Sequence, residues 1–192
     1  KNHYTKIMRI YTYILAHDTG FAPCIENNLF TLATCKPLIR SSAKIGDIII
    51  GFYGKNEKKY NYAIAFIAVV TDKMDFKEYY NKFQNRTDCI YNDKLEQLSN
   101  EYHNCNNRNT DLNGKSVLLS NNFIFFGDKN IKISENYMEM IPKTQGHLSN
   151  NNDRFIDTFP KYFLELKKIY GLEKSGSHIH HKNIRRLNCS KV

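Results

Sequence analysis

The stretch from His17 to Gly54 reads HDTGFAPCIENNLFTLATCKPLIRSSAKIGDIIIGFYG and mixes polar, reactive and glycine residues between two strand-like runs. Residues that interrupt regular structure occur within it, at Gly20, Pro23 and Pro37. The dipeptide Gly46-Asp47 is a turn signal that leads into an apolar strand. A loop of about a dozen residues or more between strands is usually functional or disordered. Because this one contains many apolar residues, we expect any ligand site to lie here.

The flanking residues predict a sheet. Residues 7–15 alternate with period two and are mostly β-branched or aromatic, which is typical of a strand. Residues 45–53 and 62–70 predict two more strands, joined by the polar connection 55–59, and the nearly unbroken apolar run 62–70 suits a strand buried on both faces. Shorter strands are predicted at 29–34, 116–119 and 123–126.

Helical spacing occurs in two segments. Aromatic residues recur at helical spacing in 75–83, where Asp72 or Asp75 can cap the helix; this stripe favours a core face over a base-stacking platform. A second helix is predicted from Thr158 to Gly171. A short helix is also predicted at 93–98, and loops at 100–114 and 145–153. Together these elements predict an α+β fold: a curved, mostly antiparallel sheet or a small barrel, flanked by two or three helices.

Length and composition indicate a single domain. The chain has 192 residues and 41% hydrophobic content, enough for one core, and we place an α+β domain at 1–173 and a basic, mobile tail at 174–192. No apolar run approaches the roughly 18–20 residues of a membrane span. Because no signal-peptide pattern precedes the first strand, we expect an intracellular protein, cytoplasmic or nuclear and not secreted.

The net charge of +9 favours a polyanionic partner. Half of this excess is C-terminal, since residues 174–192 contain five basic residues and no acidic one, which leaves +4 for residues 1–173. Three of these tail residues would add sequence-independent attraction to nucleic acid: Lys182, Arg185 and Arg186.

Cysteine and histidine patterns do not predict a cofactor or a metal. Five cysteines occur without C-x-x-C spacing, and the odd number argues against a complete disulfide framework. The tail carries the run Ser-His-Ile-His-His at 177–181, whose imidazoles can bind a transition metal incidentally. No carboxylate or cysteine follows it until Cys189, so we expect no metal site.

Several blocks of the sequence resemble the nucleotide modification associated domain 2 family, a group linked to the chemistry of unusual DNA bases. The blocks are HDTGFAP, TLATCKPLIR and AKIGDIIIGFYGK, followed by weaker ones as far as Gly146-His147. The resemblance spans roughly residues 8–150, in the same order, and implies a link to nucleotide or DNA base modification. The strand-first organisation is also similar, at the level of the fold, to PUA-like domains, which hold nucleic acids or single modified bases.

Two residues are candidates for chemistry. His17 can act as a general base because the pKa of imidazole lies near neutrality, whereas Asp18, adjacent on an extended chain, would face the other way. Cys35 lies beside Lys36, and a thiol activated by a cation and a histidine can be a nucleophile. The alternatives are a histidine that fixes the loop and an inert buried cysteine.

A pocket for a base needs an aromatic wall, groups that read the base edge and a cation for the phosphate. The predicted ligand-binding residues are Thr19, Phe21, Thr31, Lys36, Arg40, Tyr91 and His147. Lys36 and Arg40 would hold a phosphate or carboxylate, and His147 would close the pocket, as the family resemblance suggests.

These residues lead to three hypotheses. The first is a module that recognises a nucleotide or modified base, in nucleic acid or free, with DNA as the expected nucleic acid. The second is an enzyme that acts on a nucleotide or base with His17 as base and Cys35 as nucleophile; no motif decides whether a reaction is catalysed. The third is a basic adaptor that uses only its tail. Oligomeric state is not predicted.

Overall fold

A computed structural model describes residues 8–54, 61–98, 105–144, 146–150, 152–171 and 173–179. Its strands are β1 Ile10–Leu15, β2 Cys24–Glu26, β3 Leu29–Leu32, β4 Ile48–Tyr53, β5 Ile64–Val69, β6 Asp72–Met74, β7 Val117–Ser120, β8 Asn122–Phe125, β9 His147–Asn150 and β10 Glu173–Lys174. Its α-helices are α1 Pro37–Ser42, α2 Phe76–Phe83, α3 Arg108–Leu112 and α4 Asp153–Tyr170. Short 3-10 helices lie at Cys105–Asn107, Gly127–Lys129 and Glu135–Met140.

The strands form two sheets. The larger has the order β10-β8-β5-β4-β1-β9, and the smaller has the order β2-β3-β7-β6. Most strand pairs are antiparallel, but β1 runs parallel to β4, and β10 runs parallel to β8. In the β1–β9 pair, Tyr13 lies opposite His147. This register brings the start of β9 beside the C-terminal half of β1.

The buried apolar residues form three clusters. One face of the larger sheet packs against α4 through residues such as Ile50 and Phe159, and its other face packs against the smaller sheet through Phe30 and Phe66. The smaller sheet in turn packs against α2. The β5 strand is central, and its residues 64–68 are almost fully buried, as an apolar run without alternation predicts.

Gly51 is required by close packing in the centre of the larger sheet. A Cβ atom at this position would overlap the ring of Phe66 on β5, and the register between β4 and β5 shifts between Gly51 and Phe52. Glycine within a strand commonly marks such a bulge or close approach.

The predicted α+β class is confirmed, and the barrel alternative is wrong, since neither sheet closes on itself within the described residues. Strands were predicted at all the sites of β1, β3, β4, β5, β7 and β8. The short strands β2, β6 and β10 were missed, as was β9, which lies in the predicted loop 145–153. Polar edge strands carry no apolar alternation, so their pattern resembles that of a loop.

The helix predictions had a mixed outcome. The α2 helix begins after Asp75, whose side chain accepts a hydrogen bond from the Glu78 backbone N–H, as predicted. The α4 helix begins at Asp153 and is capped by Asn152, whereas the prediction placed Thr158 at its start, and Pro160 therefore lies inside the helix. The prediction of a helix at 93–98 is wrong: this segment forms turns closed by a bridge between Tyr91 and Gln97. Two short helices, α1 and α3, were not predicted, and α3 lies in the predicted loop 100–114.

The segment 173–179 packs onto the domain at the start of the predicted tail. Ser175 donates backbone and side-chain hydrogen bonds to the Phe125 carbonyl, and Ser177 and Asp128 exchange two hydrogen bonds. The predicted tail residues Lys182, Arg185 and Arg186, like the 55–59 connection, lie outside the described residues. The boundary at 173 and the mobility of the tail stay predictions. None of the described helices combines the length and apolarity that a membrane crossing requires.

Candidate ligand pocket

A cavity of about 400 Å³ lies at the C-terminal end of β1. Three segments line it: residues 13–17 with Ala22, residues 35–38 at the start of α1, and residues 146–147 at the start of β9. Binding sites for small molecules commonly have volumes of about 300–1,000 Å³. The cavity therefore has the size of a small-molecule site, and four of the predicted residues line it: His17, Cys35, Lys36 and His147.

Tyr13 contributes an aromatic side chain that the sequence analysis did not select. It is buried, its ring lies 5.8 Å from that of Phe66, and the Lys36 Nζ atom lies 4.8 Å from its ring centroid. The period-two pattern of β1 predicted that alternate residues face different sides of the sheet. It could not show which of them would reach the cavity.

An unusual turn places Cys35 and Lys36 at the cavity. Both residues have positive φ angles, 58° and 42°, which side chains other than glycine rarely adopt. Two partners hold this backbone: the Cys35 N–H donates to Asp111 Oδ1 (2.9 Å), and the Cys35 carbonyl accepts from Arg40 Nε (2.7 Å). Pro37 then begins α1. The strain of the turn is offset by these hydrogen bonds.

Arg40 is fully buried and does not line the cavity. Besides the Cys35 carbonyl, its guanidinium donates to the carbonyl oxygens of Ser116 (2.8 Å) and Asp111 (2.6 Å), and it lies 4.0 Å from the Asp111 carboxylate. Gly114 lies against the guanidinium so closely that a Cβ atom there would overlap it. Arg40 was predicted to bind an anionic ligand, but its contacts give it a structural role. It holds the turn that places Cys35 and Lys36 at the cavity.

The other predicted ligand residues do not line the cavity either. Thr31 is buried and donates to Asp88 Oδ2 (2.5 Å), and the Tyr91 hydroxyl donates to Asp111 Oδ2 (3.0 Å). Phe21 is buried in the core beside α2, and Thr19 is half-buried. The side chains of Phe21, Thr31 and Tyr91, which were expected to contact a base, are therefore buried in the protein instead.

A second buried hydrogen-bond network, centred on Asp18, supports the loop that contains His17. Asp18 is 1% exposed and accepts hydrogen bonds from the Tyr53 hydroxyl (2.7 Å) and the Ile179 N–H (3.1 Å), and it is hydrogen-bonded to Nδ1 of His178 (2.5 Å). His178 lies in the predicted tail, and its ring packs against Phe125, with ring centroids 4.4 Å apart.

Desolvation shapes the electrostatics of the cavity. Burial lowers the pKa of Lys36 from its ordinary value, because desolvation disfavours the charged ammonium. Burial, with the charge of Asp111 as a further cause, raises the pKa of Cys35. Among the described residues, the lining includes two imidazoles and one ammonium but no carboxylate. Within the described residues, no group of three or more His, Cys, Asp or Glu side chains could hold a metal ion.

The raised pKa makes Cys35 a slow nucleophile near neutral pH, although part of the residue is exposed. Only the thiolate reacts with alkylating agents, so iodoacetamide is expected to modify Cys35 at pH 7 more slowly than the same cysteine in a free peptide of residues 31–39. The rate should still be rising above pH 9. Peptide mapping by mass spectrometry measures it. Faster modification than in the peptide at pH 7 would contradict this and indicate an activated thiolate.

Comparison with known proteins gave one result. Searches of curated proteins and of solved structures found no significant match, so the similarity to PUA-like domains stays a prediction. A family model described as nucleotide modification associated domain 2 matches residues 7–177. This match covers most of the chain and includes all three segments that line the cavity. The chain therefore belongs to the nucleotide modification associated domain 2 family.

Proposed function

We propose that the cavity at the end of β1 binds a nucleotide or a modified nucleic-acid base, with DNA as its expected source. The observation that carries this proposal is the convergence of three segments far apart in sequence, which bring His17, Lys36 and His147 around one cavity. The family description, which links the domain to nucleotide modification, supports the same class of ligand.

The lining has the two surfaces that a nucleotide requires. Lys36 and the two histidines can donate hydrogen bonds to phosphate oxygens or to the acceptor edge of a base. Apolar side chains such as Ile14, Ala22 and Leu38 provide the rest of the wall, against which a base or sugar can pack. Tyr13 takes the place of the predicted aromatic residues.

Binding is favoured over catalysis by the environment of Cys35. A catalytic thiol is activated by a lowered pKa or by an adjacent base, whereas burial raises the pKa of the Cys35 thiol. An enzyme remains the second candidate because His17 and Cys35 line the same cavity. Mass spectrometry of nucleotides incubated with the protein separates the two, since only a reaction changes their mass. A product that His17→Ala abolishes would favour the enzyme.

Isothermal titration tests the binding proposal with the four 2′-deoxynucleoside 5′-monophosphates and their 5-methyl and 5-hydroxymethyl pyrimidine forms. We expect one or more to bind, and both Lys36→Met and His17→Ala to weaken binding about 10- to 100-fold, because each removes a hydrogen bond to the ligand that is worth about 1.5–3 kcal/mol when charged.

The matched control is Lys129→Met, which removes an exposed lysine on a 3-10 helix that does not contribute to the lining. It should bind like the wild type. Failure of the wild type to bind any of these compounds, or an equal loss in Lys129→Met, would contradict the proposal.

A further inference from the structure

The Tyr13 hydroxyl is a buried polar group whose hydrogen bonding is not satisfied by the protein. The residue is 1% exposed, and its hydroxyl has no hydrogen-bond partner among the described residues. A buried hydroxyl without a partner costs free energy, so it calls for an explanation.

The surroundings of this hydroxyl direct attention to the cavity. Tyr13 lines it, and the Lys36 ammonium lies over the face of its ring. Burial raises the pKa of Tyr13, with Cys35 and Asp18 as further causes, and therefore the hydroxyl keeps its proton and remains a donor. The Asp18 carboxylate does not line the cavity and is hydrogen-bonded to Tyr53, His178 and Ile179. A neutral donor and an ammonium thus lie together in a cavity without a carboxylate among its described lining residues.

We infer that the Tyr13 hydroxyl and the Lys36 ammonium together hold an anionic oxygen of the ligand, and that the cavity is therefore selective for a phosphorylated nucleoside over the nucleoside itself. The inference rests on the proposed function and specifies that the phosphate end of the ligand lies against Tyr13. The phosphate supplies the acceptor that the buried hydroxyl lacks, and the ammonium supplies the opposite charge.

The β1 strand offers a matched pair of variants for the test. Tyr11 lies on the same strand, is 2% exposed, and also has a hydroxyl without a partner among the described residues, but it does not line the cavity. Replacing either tyrosine by phenylalanine removes an unsatisfied buried group. Without ligand, neither variant should therefore melt below the wild type.

Ligand binding should separate the two variants. Isothermal titration compares each 2′-deoxynucleoside 5′-monophosphate with its nucleoside, and we expect the wild type to prefer the monophosphate at least 10-fold. Tyr13→Phe should weaken monophosphate binding about 10- to 100-fold with little effect on the nucleoside. Tyr11→Phe should bind both compounds like the wild type.

The outcomes distinguish this inference from the proposed function. Equal wild-type affinity for monophosphate and nucleoside, or unchanged monophosphate binding by Tyr13→Phe, would overturn the inference and leave nucleotide binding standing. A melting temperature of Tyr13→Phe well below that of Tyr11→Phe would show that the protein itself uses the hydroxyl, and would also overturn it. Absence of binding of every compound to the wild type would overturn the proposed function as well.

Discussion

Replacement of Arg40 by methionine is expected to lower the free energy of unfolding by about 3–5 kcal/mol, the cost of leaving a buried ion-pair partner without its counter-charge. The guanidinium is fully buried and donates to three backbone carbonyls beside the Asp111 carboxylate. Methionine keeps part of the volume but none of these hydrogen bonds. Chemical denaturation followed by circular dichroism measures the change.

Arg108→Met provides the comparison, because Arg108 is exposed and its guanidinium donates only to the Leu95 carbonyl among the described hydrogen bonds. It should cost less than about 1 kcal/mol, as surface substitutions usually do. A small effect of Arg40→Met on stability, combined with a large loss of ligand affinity, would contradict the internal role. That result would restore the anion-binding role expected from the sequence.

The fold was predictable where one face or both faces of an element are buried. The β1 and β5 strands show this, since nearly every residue of both is buried and both are rich in β-branched, aromatic and other apolar side chains. The β9 strand was not predictable, because three of its four residues are polar and its pairing with β1 depends on tertiary contact. The parallel pairing of β1 with β4 likewise depends on how the long loop between them folds.

The cavity was partly predictable because two of its segments carry unusual local chemistry. His17, Cys35 and Lys36 lie in short motifs between elements, where loops commonly hold functional groups. Arg40 shares the motif but is directed inward by Asp111, which lies 71 residues further along the chain. No local pattern reveals whether an arginine will meet a buried carboxylate from a distant segment.

Asp18 links the cavity to the end of the described chain, and its replacement by alanine is expected to cost about 3 kcal/mol in the free energy of unfolding. The buried carboxylate is hydrogen-bonded to His178, the Tyr53 hydroxyl and the Ile179 N–H, and its loss would remove all three of these hydrogen bonds. Since Asp18 directly follows His17, ligand affinity should fall as well.

Hydrogen exchange locates the effect of Asp18→Ala. The segment 175–179 should lose protection at its backbone amides, most clearly at Ile179, because Asp18 anchors the far end of this segment. The amides of the central strand β5 should lose only the protection that corresponds to the fall in the global free energy of unfolding. Asp93→Ala, at an exposed position in a turn, should leave both regions unchanged. Retained protection of Ile179 in Asp18→Ala would show that the contacts of Ser175 and Ser177 hold this segment without the carboxylate. In that event the C-terminal segment would contact the His17 loop without stabilising it.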